Sequence, residues 1–545
     1  MTNTAIPTAP SPPAPWETAG LGGLLLNAMK RFPDRAAFVQ RAGTLTYGAA
    51  LSQLAGLQSA LAARGVGRGT TVAVLSPNRA EGFLTDLAVW CLGGRHTALH
   101  GMGSLEDHVM ACADAEARFL VVDSSHAGRA ADISTQLNDE ITILSLGPSA
   151  VGEDLLAAAG ATGAGRPRCV PCAPDEVAWL AYTGGTTGTP KAAALTHRNL
   201  MHNIFCAGIA FQVPAAPVYL ATAPITHAAM LPLLSTLARS GTMVLEPGFD
   251  PQRFLELIGS HRVNYTYLVP TMIYSVLDQA DPESADLSSL ESLRYGASPV
   301  SPSRLVEAIQ RMGQVFVQGY QCTESTGIGT SLWREEHDPV HYPDLLSSCG
   351  HAVPGVEVEL LDDDGHPVGE GATGELCLRG PSIMSRYWKQ PDLTRAALRG
   401  GWLHTGDIAT RDDRGYYYIV DRLKDVVITG GFNVYPREIE DVLLANESVA
   451  RVAVIGVPDP RWGEAVKAFV VARPGKTIDC QLLTGLVRER KGRHAAPKSI
   501  EVVASLPLTP VGKIDKKALR LSHGAGLAHG TTNSIDRRGG HDRRA

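Results

Sequence analysis

Tyr182-Thr-Gly-Gly-Thr-Thr-Gly-Thr-Pro-Lys191 follows directly on an apolar run, Val177–Tyr182. A strand that empties into three glycines and four threonines, closed by Pro-Lys, suits a chain that must bring its backbone against an anion. Glycine lets the main chain approach a ligand closely and reach positive φ. Backbone N–H groups and threonine hydroxyls can then face phosphate oxygens, and Lys191 supplies a positive point charge. The order of residues separates this loop from other phosphate loops. The pattern G-x-x-x-x-G-K-[ST] occurs nowhere in the chain, and no G-x-G-x-x-G opens a helix after a strand. Gly65-Val-Gly-Arg-Gly69 has the wrong spacing and precedes a strand.

Outward from the loop the pattern alternates between strand and helix. Thr71–Leu75 reads as a buried strand, Asn78–Leu92 as the following helix and Phe119–Asp123 as another strand, a βαβ rhythm that predicts a mainly parallel sheet. Residues 151–175, rich in Ala, Gly and Pro, read as a connector. Val263–Val269 and Gln314–Val317 continue the α/β pattern downstream of the loop. Between about 350 and 420 the character changes to a turn-rich β region, with strands at Val356–Leu361, Gly374–Arg379 and Tyr416–Val420 and turns at Asp363-Asp364-Gly365 and Asp413-Arg414-Gly415. The last block pairs a helix over Pro436–Ala445 with strands Val449–Val457 and Val466–Ala472, a small α+β unit. The fold class expected is α/β plus α+β: a large N-terminal domain over residues 1–421, made of α/β layers with the turn-rich β region, and a small C-terminal domain over 422–520. Residues 521–545 are expected to form a disordered tail.

The 545 residues exceed what one core serves, and 44% apolar with 19% charged residues is an ordinary globular balance. A net charge of −6 shows no basic footprint for nucleic acid. No stretch approaches the ~20 apolar residues of a membrane helix, and Met1–Pro15 lacks the features of a signal sequence. Nine cysteines, an odd number scattered along the chain, argue for a reducing compartment, so a cytoplasmic protein is expected. Cys169 and Cys172 form a C-x-x-C without a second pair or a histidine pair, and read as two free thiols in a connector.

The loop resembles the signature of the adenylate-forming superfamily, which includes acyl-CoA synthetases, luciferases and the adenylation domains of peptide synthetases. Gly184 and Ala192 stand where that family usually has Ser and Gly. Four further motifs follow in the family's order, so the resemblance covers essentially residues 20–520. Gln318-Gly-Tyr-Gln-Cys-Thr-Glu324 is similar to its Tyr-Gly-x-Thr-Glu segment, with Gln321 in place of Gly. Gly401-Trp-Leu-His-Thr-Gly-Asp407 is similar to its ribose-binding motif. Asp421-Arg-Leu-Lys-Asp-Val-Val-Ile-Thr-Gly-Gly431 and the residues to Glu440 are similar to its hinge. Leu506-Pro-Leu-Thr-Pro-Val-Gly-Lys513 is similar to its final motif. Ala223-Pro-Ile-Thr-His227 and Gly296-Ala-Ser-Pro299 are weaker matches, to segments beside the acyl site.

The resemblance implies a role for each of these positions. Thr183, Gly184, Gly185, Thr186, Thr187, Gly188 and Lys191 would hold phosphate, with Thr183 among the catalytic set. Gly319, Tyr320 and Gln321 would border adenine, with Tyr320 stacked on it. Thr323 would contact phosphate, and Glu324 would help to hold Mg²⁺, an ion that takes one or two carboxylates beside substrate phosphates. Gly296, Ala297, Ser298 and His227 would lie at the acyl site, with His227 among the catalytic set. Asp407 and Arg422 would hold ribose, Lys424 would mark the hinge (421–424) of a mobile C-terminal domain, Gly430 and Gly431 would let a thiol chain pass, and Lys513 would be the adenylation lysine. The implied reaction uses ATP and Mg²⁺ to turn a carboxylic acid into an acyl-adenylate with release of pyrophosphate, and then passes the acyl group to coenzyme A. The alternatives are an amine or carrier-protein acceptor, a catalytically silent binding homologue, and a monooxygenase of the luciferase kind, which would carry lysine where this chain has Ile428. Monomer and homodimer are both compatible, and fatty, aromatic, steroid-like and small acids all remain open. Phe205, Ile225 and Met230 are candidates for an acid pocket or for plain core.

Overall fold

The computed structural model describes residues 20–161, 165–183, 191–429, 432–509 and 512–523. The described residues form two compact units, one made of those up to 358 with 378–404 and 512, the other of those in 359–377, 405–509 and 513–523.

The first unit is built on two sheets among the described residues. In one of eight strands, Thr71–Leu75 lies buried at every position, as the run Thr-Val-Ala-Val-Leu requires of a central strand covered on both faces. It pairs in parallel with Arg95–Ala98 and with Ala117–Asp123. Val177–Thr183 continues the sheet parallel to Arg95–Ala98, and the chain then returns antiparallel as Lys191–Thr196, in register Thr183 with Lys191. The edge is closed by a two-residue strand from far downstream, Arg386–Tyr387. The other sheet, of nine strands, contains the parallel neighbours Tyr265–Leu268, Ser292–Gly296 and Phe316–Tyr320 and recruits Ala36–Gln40 from the start of the chain beside Thr242–Leu245.

The helices that cover these sheets carry their own punctuation. Thr196 and Asn199 form a capping box at the head of His197–Ala210. Asp250 caps Pro251–His261 with proline in its first turn. The core of the second sheet gathers Phe254, Ile258, Leu293, Tyr295, Leu305 and Phe316.

The expected strands and helices appear within a few residues of their sequence boundaries: Asn78–Leu92 is the helix Ala80–Cys91, Gln314–Val317 is the strand Phe316–Tyr320, and Gly374–Arg379 is a strand over that same range. The connector 151–175 is not all loop. It contains the helix Leu155–Ala161, whose Leu155 and Ala159 are buried. The run Leu-Leu-Ala-Ala-Ala is a good helix former, and its alanines rather than its glycine decide the local structure. Cys169 lies in this connector with its Sγ 2.8 Å from that of Cys91, and all nine cysteines are free.

In the second unit, Leu403–Arg411 and Tyr417–Arg422 pair antiparallel in a four-stranded sheet, most of which belongs to this unit. A second sheet of five strands is dominated by the long antiparallel pair Val449–Asp459 and Gly463–Ala472, packed against Pro436–Leu444 through Ile439, Leu443, Val454 and Val470. Residues 405–421 thus cluster with the C-terminal chain, and positions 421–424 fall inside this unit. Among the described residues no helix is long and apolar enough to cross a membrane.

Candidate active site

The carboxyl ends of parallel strands are where open α/β sheets bind ligands, and most site residues of the first unit stand there. Thr183 ends its strand with its Oγ1 donating to the Lys191 carbonyl at 3.3 Å, so the two ends of the phosphate loop are tied together. Gly184, Gly185, Thr186, Thr187 and Gly188 lie outside the described residues. Lys191 reaches across to Glu324, Nζ to Oε1 at 3.2 Å, and also bonds the Tyr387 hydroxyl while lying over that ring. Tyr387 in turn donates to Glu324 Oε1 at 2.6 Å. Burial pushes the Glu324 carboxyl up, but the Lys191 charge and the Tyr387 bond outweigh it and hold the group below the usual carboxylate range. Burial, followed by the adjacent Glu324 charge, raises the Tyr387 phenol. The result is an ionised carboxylate held ready among a cation and a hydroxyl.

Glu324 sits in a single turn of 3₁₀ helix, Thr323–Ser325, just beyond the strand Phe316–Tyr320. Its main chain is fixed by Met384 N–H donating to the Glu324 carbonyl at 2.7 Å. Thr326 next to it takes a left-handed φ of 52°, with its Oγ1 donating to the Ser382 carbonyl at 2.6 Å. Gly319 at the end of that strand pairs with Gly296 on the neighbour. A β-carbon on Gly296 would stand 2.3 Å from the Gly319 carbonyl oxygen, so glycine is required there by close approach. Ala297 follows with φ 71°, a strained value for a residue with a side chain. Ser298 continues that turn. His227 accepts or donates at Nδ1 with Thr226 Oγ1, 3.0 Å away, and packs edge-on against His100 at 5.3 Å between ring centres. Ile225 and Met230 are buried, whereas Phe205 is 61% exposed and is not part of the core.

The second unit carries a separate cluster. Asp407 and Arg422 occupy directly opposed positions on the antiparallel pair and bridge at 3.2 Å. Gly406 precedes Asp407 with φ 73°, and its N–H donates to Glu375 at 2.9 Å. Asp407 stands in the outermost registered pair of the hairpin, at the end remote from its turn. Lys424 stands exposed in the turn that follows, closed by Asp425 N–H to the Arg422 carbonyl at 2.9 Å. Gly430 and Gly431 lie outside the described residues. Lys513 is held by a small bridge in which its N–H donates to Thr509 Oγ1 at 3.2 Å and its carbonyl accepts from Thr509 N–H at 2.7 Å.

The profile of the family described as AMP-binding enzyme matches residues 25–388, and that of the AMP-binding enzyme C-terminal domain matches 438–513. The chain belongs to the AMP-binding enzyme family. The assignment agrees with the motif order and with the fold. The chain is 40% identical over 525 residues to a medium/long-chain-fatty-acid–CoA ligase of Mycobacterium tuberculosis, covering 93% of this chain and 91% of the relative. It is 37% identical over 510 residues to a feruloyl-CoA synthase of an Amycolatopsis species, covering 93% and 99%. Among solved structures it is similar to the amide bond synthetase McbA of Marinactinospora thermotolerans, with 34% identity, a TM-score of 0.85 and coverage of 92% and 99%.

Tyr387 has no local sequence signal. It lies 63 residues beyond Glu324, in a two-residue strand, and only the return of that strand to the edge beside Lys191–Thr196 brings its hydroxyl to the site.

Proposed function

We infer that the chain is an AMP-forming acid–thiol ligase, which joins a carboxylic acid to ATP as an acyl-adenylate and then transfers the acyl group to coenzyme A. The observation that carries this is the Lys191–Glu324–Tyr387 cluster at the lysine end of the phosphate loop, in a chain of this family. Attack of a carboxylate on ATP brings two anions together, and the site must cancel that repulsion where charge develops. Lys191 supplies fixed positive charge beside the loop. Glu324, ionised and backed by Lys191 and Tyr387, is a fitting ligand for Mg²⁺, which prefers oxygen donors and takes one or two carboxylates. When bound, the ion would neutralise phosphate charge. Tyr387 keeps the Glu324 oxygens oriented. Asp407, opposed to Arg422, would accept from two vicinal hydroxyls of a ribose.

Lys513 serves adenylate formation alone, and Lys424 marks the hinge between the two half-reactions. Lys513→Ala should abolish acid-dependent pyrophosphate release yet leave thioester formation from pre-made acyl-adenylate largely intact. Equal loss of both half-reactions would exclude a role confined to the first. Mass spectrometry of products from ATP, Mg²⁺, coenzyme A and a panel of carboxylic acids tests the whole reading, with AMP and an acyl-CoA expected. An amine acceptor is the second reading, favoured by the likeness to an amide bond synthetase over nearly all of that structure. AMP formed without any thioester, and an amide on addition of amines, would select it. Nine free cysteines support a reducing, cytoplasmic setting.

A further inference from the structure

Beneath the segment that carries Glu324 lies a polar cluster the adenylating residues leave unused. Arg294 is 1% exposed and stands two residues before Gly296 on the strand Ser292–Gly296. Its Nη2 donates to the side-chain oxygen of Gln321 and, at 3.2 Å, to the Gly327 carbonyl. Its Nε and Nη1 have no acceptor. The buried hydroxyls of Tyr265 and Tyr267 face Arg294 and Gln321 without reaching full hydrogen-bond geometry, and the buried Oδ1 of Asn203 has no hydrogen-bond partner. Burial acts most strongly on the Arg294 charge and lowers its pKa, and the hydroxyls of Tyr265, Tyr267 and Tyr219 partly offset it. Its guanidinium carbon lies 3.4 Å from the centre of the Phe211 ring.

A buried guanidinium with open donors and no counter-charge is costly to keep. Buried polar groups are almost always satisfied, so several orphaned ones in one place point to something that binds them. The location indicates what binds. Tyr265–Leu268, Ser292–Gly296 and Phe316–Tyr320 are parallel neighbours whose carboxyl ends run into Gly296-Ala297-Ser298 and Tyr320–Glu324. The cluster is therefore the floor beneath the ligand end of these strands. Gln321 is the residue that departs from the glycine usual in this motif, and its side chain ties Arg294 to the site.

We propose that Arg294, tethered by Gln321 and flanked by Tyr265 and Tyr267, determines acid specificity, and that the acid carries a second oxygen-acceptor group, anionic by preference, at the end remote from the carboxyl being activated. This deepens the ligase reading and rests on it. A plain alkyl end would leave the same donors unpaired and desolvated, and a site built to hydrogen-bond its substrate rejects analogues that lack the bonding group far more strongly than an apolar pocket rejects an extra methylene.

The test is acid-dependent AMP release by the full chain with matched pairs of acids, each pair differing only in a distal oxygen: α,ω-diacids against monoacids of equal length, and hydroxyaryl against methylaryl acids. The oxygen-bearing member should be favoured by about a hundredfold in kcat/KM in at least one series. Arg294→Met should erase or invert that preference. A wild-type preference for the plain member, or none, overturns the proposal whatever the variant does. A variant that slows both members equally also overturns it, because Arg294 would then only support the fold. If the variant does not fold, the wild-type pairs decide alone. Absence of acid-dependent AMP from every acid would instead sink the ligase reading.

Discussion

Glu324, Lys191 and Tyr387 satisfy one another within 3.2 Å, and the chemistry expected of the first two was legible from residue type and motif order. Tyr387 was not, because a tyrosine carries no mark of its partner until the strand bearing it is placed. Removing its hydroxyl should cost about 1 kcal/mol in the positioning of Glu324, hence roughly a five- to tenfold loss in kcat/KM. Tyr387→Phe should also raise the Mg²⁺ concentration needed for half-maximal pyrophosphate release, and an unchanged Mg²⁺ dependence would dissociate Tyr387 from the metal site. Glu324→Gln, which removes the charge itself, should be more damaging, by about a hundredfold. Steady-state kinetics of the two variants side by side separates orientation from charge.

At the scale of elements, the neighbouring strands Ser292–Gly296 and Phe316–Tyr320 meet through paired glycines. The sequence shows Gly296 and Gly319 as separate motif members, but it does not show that each is there for the other. A β-carbon on Gly296 would strike the Gly319 carbonyl, which is backbone and cannot rotate away. Gly296→Ala should destabilise the protein by about 1–3 kcal/mol, the usual cost of overpacking. Urea unfolding that gives the variant wild-type stability would show that the strands can separate. The hairpin of the second unit offers a contrasting case. Asp407 and Arg422 belong to different motifs fifteen positions apart, yet the antiparallel register sets them directly opposite one another. The connector at 151–175 misled composition for a related reason: flanking prolines and glycines drew attention from the alanine-rich run that buries Leu155.

For the whole molecule, two buried histidines of the first unit contribute to the loss of stability in acid. His197 accepts the Leu21 N–H at Nδ1, and His337 is held between Tyr295 and the Trp333 carbonyl. Burial, above all, lowers both from the usual 6.5 to about 4. Between those values the unfolded chain binds more protons than the folded one, so stability rises with pH across this window and is lost as pH falls from about 6.5 to about 4. Each residue accounts for about 3 kcal/mol over that fall. Urea midpoints measured at pH 7 and pH 4.5 should differ strongly, and His337→Gln should shrink the difference. Equal midpoints for the wild type would contradict neutral burial of these rings.

Taken alone, the sequence determined the reaction class, the order of motifs and most strands and helices, because these rest on local properties: hydrophobic period, turn chemistry, and the side-chain types that phosphate, metal and ribose demand. Only the tertiary structure decided which strands are neighbours. Ala36–Gln40 lies beside Thr242–Leu245, and Arg386–Tyr387 returns to the edge beside Lys191–Thr196. Such pairings join segments some two hundred residues apart through backbone hydrogen bonds that any residue but proline can make, so no local pattern encodes them. Tyr387 at the carboxylate is a consequence of that long-range pairing.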